Sequence, residues 1–417
     1  MKLVSCTAAS IPESRSIDTI YIAQYENAGE ETGYFGLGFP DKIRRGGIAP
    51  SDQIWDFVTF AFTIAAVDKL IPRETSPDGW TREFEVDIHL SDPETWNGLA
   101  NDLQNLLRFL TGDFWSLHFY RGGYPAPRPK TVISTDADCV SLLSGGMDSL
   151  LGGIDLTSNG RKPLFASHIV NGSRHHQEEF AHALNAEARY FQWSYEAKLK
   201  DHRERSTRGR SIVFFALAAI ASSVVRESIP RPIEVFVPEN GFISLNMALS
   251  PGRLGSLSTK TTHPIYMQGV QSVWDRLGIQ LQLRFPYRYQ TKGEMLENCR
   301  DKDTLHRLLG NTISCSQYHM HKHIHCGVCI PCLVRRAAYR KVGWDDPTEY
   351  CKDLRVEMSD NIAVATSAWL VLQDQGIRKV TAGSLSFAKG KDKHQLEQVV
   401  SRGLTEISDL LRAYGRI

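Results

Sequence analysis

Apolar residues recur along this chain with two different periods, and the change of period marks out its elements. TIYIAQYE from Thr19 and REFEVDIHL from Arg82 have the short, β-rich pattern of strands, whereas SDQIWDFVTFAFTIAAVDKL and PETWNGLANDLQNLLRFL place apolar residues at helical spacing. Residues 1 to about 130 therefore predict an α+β domain. The glycine- and proline-rich GGYPAPRPKT, Gly122 to Thr131, reads as a linker. Beyond it CVSLL, PLFASHIV and PIEVFVPEN predict strands separated by helical segments, the pattern of a parallel sheet with crossover helices over residues 131 to 345. From about Asp346 the pattern is mostly helical and closes on KHQLEQVVSRGLTEISDLLRAYG, with no internal repeat.

Composition narrows the function classes. A hydrophobic share of 42 % in 417 residues supplies cores for two or three domains. Lys+Arg 48 against Asp+Glu 47 gives a formal charge of +1, so no general field exists to hold nucleic acid or an anionic membrane. The small basic cluster KGKDK from Lys389 reads as a solvated turn. SIVFFALAAIASSVV from Ser211 is 15 residues long, short of the ~20 that span a bilayer, and predicts a buried helix. MKLVSCTAASIPESRS at the N-terminus has no apolar segment of secretory length, so the expected compartment is the reducing cytoplasm. Eight cysteines must then be explained without disulfides.

Four of them are clustered. Cys315 precedes CGVCIPC, which supplies Cys326, Cys329 and Cys332, and a C-x-x-C-x-x-C turn lets successive sulfurs converge into a tetrahedron suited to structural zinc. Gly327 relieves crowding there and Pro331 stiffens the turn. An iron-sulfur cluster uses similar spacing, and His319, His321, His323 or His325 could replace a cysteine. Cys6, Cys139, Cys299 and Cys351 are isolated.

The other chemical signal is SLLSGGMDSLLGG, Ser141 to Gly153. A glycine-rich loop between a strand and a helix exposes backbone N–H groups beside the positive helix terminus, which suits phosphate; a plain Ser/Asp helix cap has the same composition. Neither GxxxxGK[ST] nor GxGxxG is present. SGGMDS resembles the SGGxDS pyrophosphate loop of the N-type ATP pyrophosphatases, which split ATP into AMP and pyrophosphate. NGSRHHQEEFAHA from Asn171 resembles the YGQRHxxE segment of the QueC-like enzymes, the 7-cyano-7-deazaguanine synthases, with Gly172, Arg174, His175 and Glu178 matching and Asn171 and Ser173 departing. TRGRSIVFFALA from Thr207 resembles a family helix start at Arg210, TKGEM from Thr291 resembles the segment carrying the family's lysine, here Lys292, and the cysteine cluster stands where the family has its four-cysteine zinc site. The resemblance covers roughly Asp138 to Arg340, about half of the chain.

What the resemblance implies is an adenine nucleotide alpha hydrolase-like (PP-loop) fold with ATP, Mg2+ and Zn2+ as cofactors. Ser144, Gly145, Gly146 and Ser149 would cradle phosphate with Arg210, and Asp148 would assist through magnesium. Arg174 or Lys292 would stabilise phosphate charge, and His175 would act as a general base or fix its loop. The long N-terminal region and PENGFISLNMALSPGRLGSLSTKTTHP, Pro238 to Pro264, depart from the housekeeping enzymes and are similar to the branch of the family carried in antiphage defence operons. Glu239, Asn240, Arg253, Thr262 and His263 are the polar residues expected near the substrate. The implied reaction is adenylation of a 7-deazaguanine carboxylate and transfer to an amine, the N-terminus of a partner protein from the same operon. Ammonia as acceptor, giving the nitrile, and a tRNA-modifying PP-loop ATPase are the alternatives, and the neutral charge argues against the second. The aromatic-rich N-terminal region, with Tyr21, Tyr25, Tyr34, Phe35, Phe39, Trp55, Phe57, Phe60 and Phe62, reads mostly as core, with a minority available to dock a partner.

Overall fold

Two sheets sharing one apolar core organise the chain in the computed structural model, which describes residues 1–170, 172–204, 208–247, 260–357, 359–382 and 384–417. The first contains β1 (Lys2–Cys6), β2 (Thr19–Gln24), β3 (Gly33–Phe35), β4 (Glu83–Leu90) and β5 (Phe114–Arg121). The second contains β6 (Cys139–Leu142), β7 (Pro163–His168), β8 (Tyr190–Trp193), β10 (Ile233–Phe236) and β11 (Leu281–Arg284), while β9 (Ala197–Lys198) crosses back to the first. Strand orders are β5-β4-β1-β2-β3-β9 and β11-β10-β6-β7-β8. Every neighbouring pair is parallel except β3 with β9.

The N-terminal region thus corrects the α+β expectation, because it is a parallel sheet with crossover helices. Parallel strands need long returns: the Asp52–Leu70 helix lies on the one from β3 back to β4, which pairs with β1, and the Ala100–Thr111 helix on the one from β4 to its neighbour β5. One edge of each sheet is capped by side-chain amides. Gln104 Oε1 and Asn97 Oδ1 accept the β5 N–H groups of Leu117 (2.9 Å) and Phe119 (3.1 Å), and Gln271 Oε1 accepts Leu283 N–H of β11 at 2.7 Å. Such capping denies a further strand its ladder.

The Asp52–Leu70 helix lies between the sheets, buried on nearly every side through Trp55, Phe57, Phe60, Phe62, Ile64 and Val67. Against it packs the Arg210–Ser222 helix, RSIVFFALAAIAS, which in turn covers β6 and β7. The run predicted as a buried helix is therefore the element that joins the two sheets. Across this layer Phe57 meets Trp274, which meets Phe215, and Phe215 in turn meets Tyr266. Burial of each large side chain stabilises by about 1.5–3 kcal/mol. Among the described residues no helix is long and apolar enough to cross a membrane.

A buried ionic hub pins the same layer. Asp68 Oδ1 meets Arg82 at 2.5 Å, and its Oδ2 accepts the backbone N–H groups of Arg208 (2.5 Å) and Gly209 (2.6 Å), just before the Arg210–Ser222 helix. Asp113 joins Arg73 and Arg82, each at 2.7 Å. Neither aspartate side chain is exposed. Removing one member leaves unpaired buried charge, so Asp68→Ala should lose about 3–5 kcal/mol in urea unfolding. A loss below ~1 kcal/mol would show that the hub carries no such burden.

Candidate functional site

In the second sheet β6 is central, the chain running outward through β7 and β8 on one side and through β10 and β11 on the other. Loops leaving β6 and β10 consequently diverge, and the crevice between them at the carboxyl ends is where open parallel sheets place ligands. SGGMDS is the loop after β6. Gly145 has φ +85°, a conformation glycine adopts without strain, and Gly146 caps the Met147–Ser158 helix. The loop's carbonyls are tied inward. Gln177 Nε2 donates to Ser144 O (3.1 Å), Ile313 N–H to Gly145 O (3.0 Å) and Ser149 Oγ to Gly146 O (2.9 Å). The first-turn N–H groups of the helix, which have no intrahelical acceptor, are left as donors for an anion.

Asp148, in that first turn, is buried and joins three chain segments. Its Oδ2 accepts both Asn240 N–H (3.1 Å) and Asn240 Nδ2 (2.7 Å), and Lys292 Nζ pairs with Oδ1. Asn240 also caps the Gly241–Leu245 helix by accepting Ile243 N–H at 2.9 Å. Lys292 opens the Lys292–Asn298 helix, whose start is fixed by a capping box of Thr291 and Glu294. Burial opposes ionisation of Asp148, but the Lys292 ammonium and the Asn240 hydrogen bonds outweigh it and hold the carboxyl below its usual range. Burial and, after it, the neighbouring Asp148 charge push the Glu239 carboxyl well above its usual range.

The remaining expected residues fall in several places. Thr262 and Glu239 line a cavity of about 440 Å³ with Asn246, Ser316, Gln317 and Pro331. His263 is buried between Phe109 and Phe387, with ring centroids 5.1 and 5.2 Å away, and its Nδ1 caps the Pro264–Arg276 helix by accepting Ile265 N–H at 3.2 Å. Arg174 is exposed and pairs with Glu178 at 3.8 Å. His175 lies exposed beside it, and Arg210 is exposed at the start of its own helix. No hydrogen bond among the described residues joins Arg174, His175 or Arg210 to the Asp148 cluster. Arg253 lies outside the described residues, as do Asn171 and Thr207.

The four cysteines converge. Sγ atoms of Cys315, Cys326, Cys329 and Cys332 all lie within 4.8 Å of one another, and all four residues are buried. Backbone N–H groups already point at the sulfurs, from Cys326 to Cys315 Sγ and from Cys329 to Cys326 Sγ, each at 3.3 Å. Such donors favour thiolate, so the cluster could hold a metal such as zinc. Gly327 has φ +85°, and a Cβ there would meet Lys352 O at 2.9 Å. The neighbouring histidines are not part of the cluster: His325 Nε2 accepts Ser314 N–H at 3.1 Å, and His319 and His323 are exposed.

Two residues that sequence reading passed over tie these parts together. Gln177 on the Arg174–Ala183 helix bonds Ser144 O and His168 O, both at 3.1 Å, and its only sequence trace is its place inside RHHQEEF. Arg335 is wholly buried and donates to Leu309 O (2.9 Å), Thr312 Oγ1 (2.6 Å) and Thr348 Oγ1 (2.8 Å). It fixes the arc that runs past Ile313, bonded to Gly145, into Cys315. Its trace is a cation on the buried face of CLVRRAAY.

Compared with known proteins, the chain matches no family model, no curated protein and no solved structure.

Elemental analysis by plasma mass spectrometry should give stoichiometric zinc in the wild type and much less in Cys329→Ser; full retention in the variant would exclude a four-sulfur centre. The buried imidazoles govern acid behaviour. Burial, with Lys260 and Arg288 nearby, lowers His263 from 6.5 to about 4, and burial with Arg210 and Lys69 lowers His168 to about 3. The unfolded chain takes up these protons below 6.5 and the folded chain does not. Stability is therefore complete above that pH and should fall by about 1.4 kcal/mol per pH unit per histidine as pH drops toward about 4. Urea unfolding of wild type and His263→Gln at pH 7 and pH 5 checks this, and an equal fall in both would remove His263 from the account.

Proposed function

We propose that this chain is an AMP-forming ligase of the QueC-like kind, adenylating a 7-deazaguanine carboxylate and passing it to an amine. The observation that carries the reading is the SGGMDS loop at the point where the second sheet reverses its strand order, with Asp148 of that loop held by Asn240 and Lys292. Fold order, open amides and a fixed ammonium are what phosphate chemistry at such a crevice requires.

In this reading a carboxylate oxygen attacks the α-phosphorus of ATP, the bond to the bridging oxygen of pyrophosphate breaks, and an acyl-adenylate forms. An amine then adds to the acyl carbon, AMP leaves with the carbon–oxygen electron pair, and the amine's surplus proton goes to a base. Loop amides would hold the departing pyrophosphate, and Lys292 would offset charge at the phosphate. Magnesium would add electrostatic stabilisation of the phosphates. Both oxygens of Asp148 are already engaged, so a part for Asp148 in holding that ion requires Lys292 to turn from the carboxylate toward phosphate. The cavity shared by Glu239 and Thr262 suits a planar, hydrogen-bonding ring.

A protein amine is the acceptor that best accounts for the additional N-terminal sheet, since ammonia needs no docking surface. On this reading the protein belongs with the defence branch of the family.

The test is nucleotide analysis by chromatography with ATP, magnesium and 7-carboxy-7-deazaguanine. AMP should appear only with the carboxylate, and Asp148→Asn should reduce it by about 10²–10³-fold. AMP independent of the carboxylate, or ADP in its place, sinks the reading. Intact mass of the operon partner after the same incubation should rise by the acyl group; an unchanged mass with AMP present removes the protein acceptor.

A further inference from the structure

The C-terminal Gly390–Ala413 helix packs behind both segments that hold Asp148. On the Asn240 side, Phe242 lies so close to Gly403 that a Cβ there would meet its ring at 2.4 Å. On the Lys292 side the contacts are polar and form a set. Arg402 Nε meets Glu294 Oε1 at 2.6 Å, and Thr291 Oγ1 donates to Glu406 Oε1 at 2.5 Å. Further along the helix, Asp392 binds Arg288 at 2.9 Å and Tyr289 Oη at 2.7 Å.

These partners are the two halves of the capping box that starts the lysine's helix. Thr291 Oγ1 accepts Glu294 N–H (3.1 Å) and Glu294 Oε2 accepts Thr291 N–H (2.9 Å). A hydroxyl has one proton and two lone pairs, so donation to Glu406 fixes which lone pair faces Glu294. Arg402 fixes the other half by holding the Glu294 carboxylate. The Lys292–Asn298 helix has 7 residues, too few to persist without tertiary support, and Lys292 is its first.

We infer that Glu406 and Arg402 are positioning residues that hold Lys292 in register with Asp148, which makes the C-terminal helix part of the reactive site. The consequence for turnover rests on the ligase reading above; the placement of Lys292 does not. Glu406 is 9 % exposed and also reaches Lys341 Nζ at 3.5 Å. Beyond it opens a cavity of about 660 Å³ lined by Arg340, Lys341 and Arg402, so truncation at Glu406 admits water to Thr291.

The test compares Glu406→Ala, Glu406→Gln and Arg402→Gln with the full-length wild type in two assays. One follows acetylation of Lys292 by an N-hydroxysuccinimide ester, read by peptide mass spectrometry without nucleotide. The other measures kcat and KM for AMP formation. Glu406→Ala should raise the labelling rate of Lys292 and lower kcat, each by roughly 2- to 30-fold, with KM for the carboxylate little changed. Glu406→Gln keeps a carbonyl acceptor for Thr291 and should restore most of both. If Glu406→Ala fails to fold, Arg402→Gln carries the test, with the same signs expected. Wild-type labelling of Lys292 in a folded Glu406→Ala or Arg402→Gln variant overturns the inference. Raised labelling alongside a wild type that makes no AMP sustains the positioning role and removes the ligase reading instead.

Discussion

The contact between the Asp52–Leu70 and Arg210–Ser222 helices is the constraint on which the rest depends. Each is too apolar to face water, and each covers a different sheet, so only a sheet-helix-helix-sheet stack buries both. That stack leaves the opposite face of the second sheet to carry the loop helix, the four-cysteine segment and the C-terminal helix. It also makes residues 1 to 130 share a single core with the second sheet, since Leu3 and Leu283 belong to the same cluster. Asp68 adds direction to an otherwise greasy contact, because two backbone N–H groups and two arginines converge on it in one arrangement.

Around the loop after β6, the physical theme is that no element stands alone. The loop's carbonyls are held by Gln177 and Ile313, and Ile313 sits in the arc that Arg335 fixes on its way to Cys315. A metal at the four sulfurs would therefore stiffen the loop from a distance. Asp148 is held by residues from two further loops, each beginning a short helix capped by its own side chain. Preorganisation of this kind lowers the cost of reordering when charge arrives, which is the source of most electrostatic stabilisation in enclosed sites.

Legibility in the sequence followed the range of the forces involved. β2, β4, β6, β7 and β10 could be read from period and β-branched content, and the buried Arg210–Ser222 helix from its apolar run, because these signals are local. The cysteine cluster and the glycine loop were legible for the same reason: their spacing is set within a few residues. Strand direction in the first sheet was not, since parallel order depends on which non-neighbouring strands meet. KLVSC and FWSLHFYR, which form β1 and β5, are strands that the sequence reading did not single out. Gln177 and Arg335 left only faint traces and Glu406 none, because each acts on a partner distant in sequence. His263 has the composition of a ligand-binding residue, yet its geometry is that of a helix cap between two aromatic rings.

The Asp148 cluster also explains why a lysine should sit first in a helix. A cation at a helix N-terminus is disfavoured by the backbone dipole, and Lys292 occupies that position while largely buried. Three carboxyl groups offset the cost: Asp148 by direct pairing, Glu294 inside the cap and Glu406 through Thr291. Only the first touches the ammonium. If an anion enters the loop, it can replace Asp148 as the lysine's partner, while the other two carboxyls continue to fix the backbone from which the side chain swings. The lysine is thus free to change partners without its helix having to move, and this separation of an anchored main chain from an exchangeable side chain is the property a transfer of charge at this crevice would use.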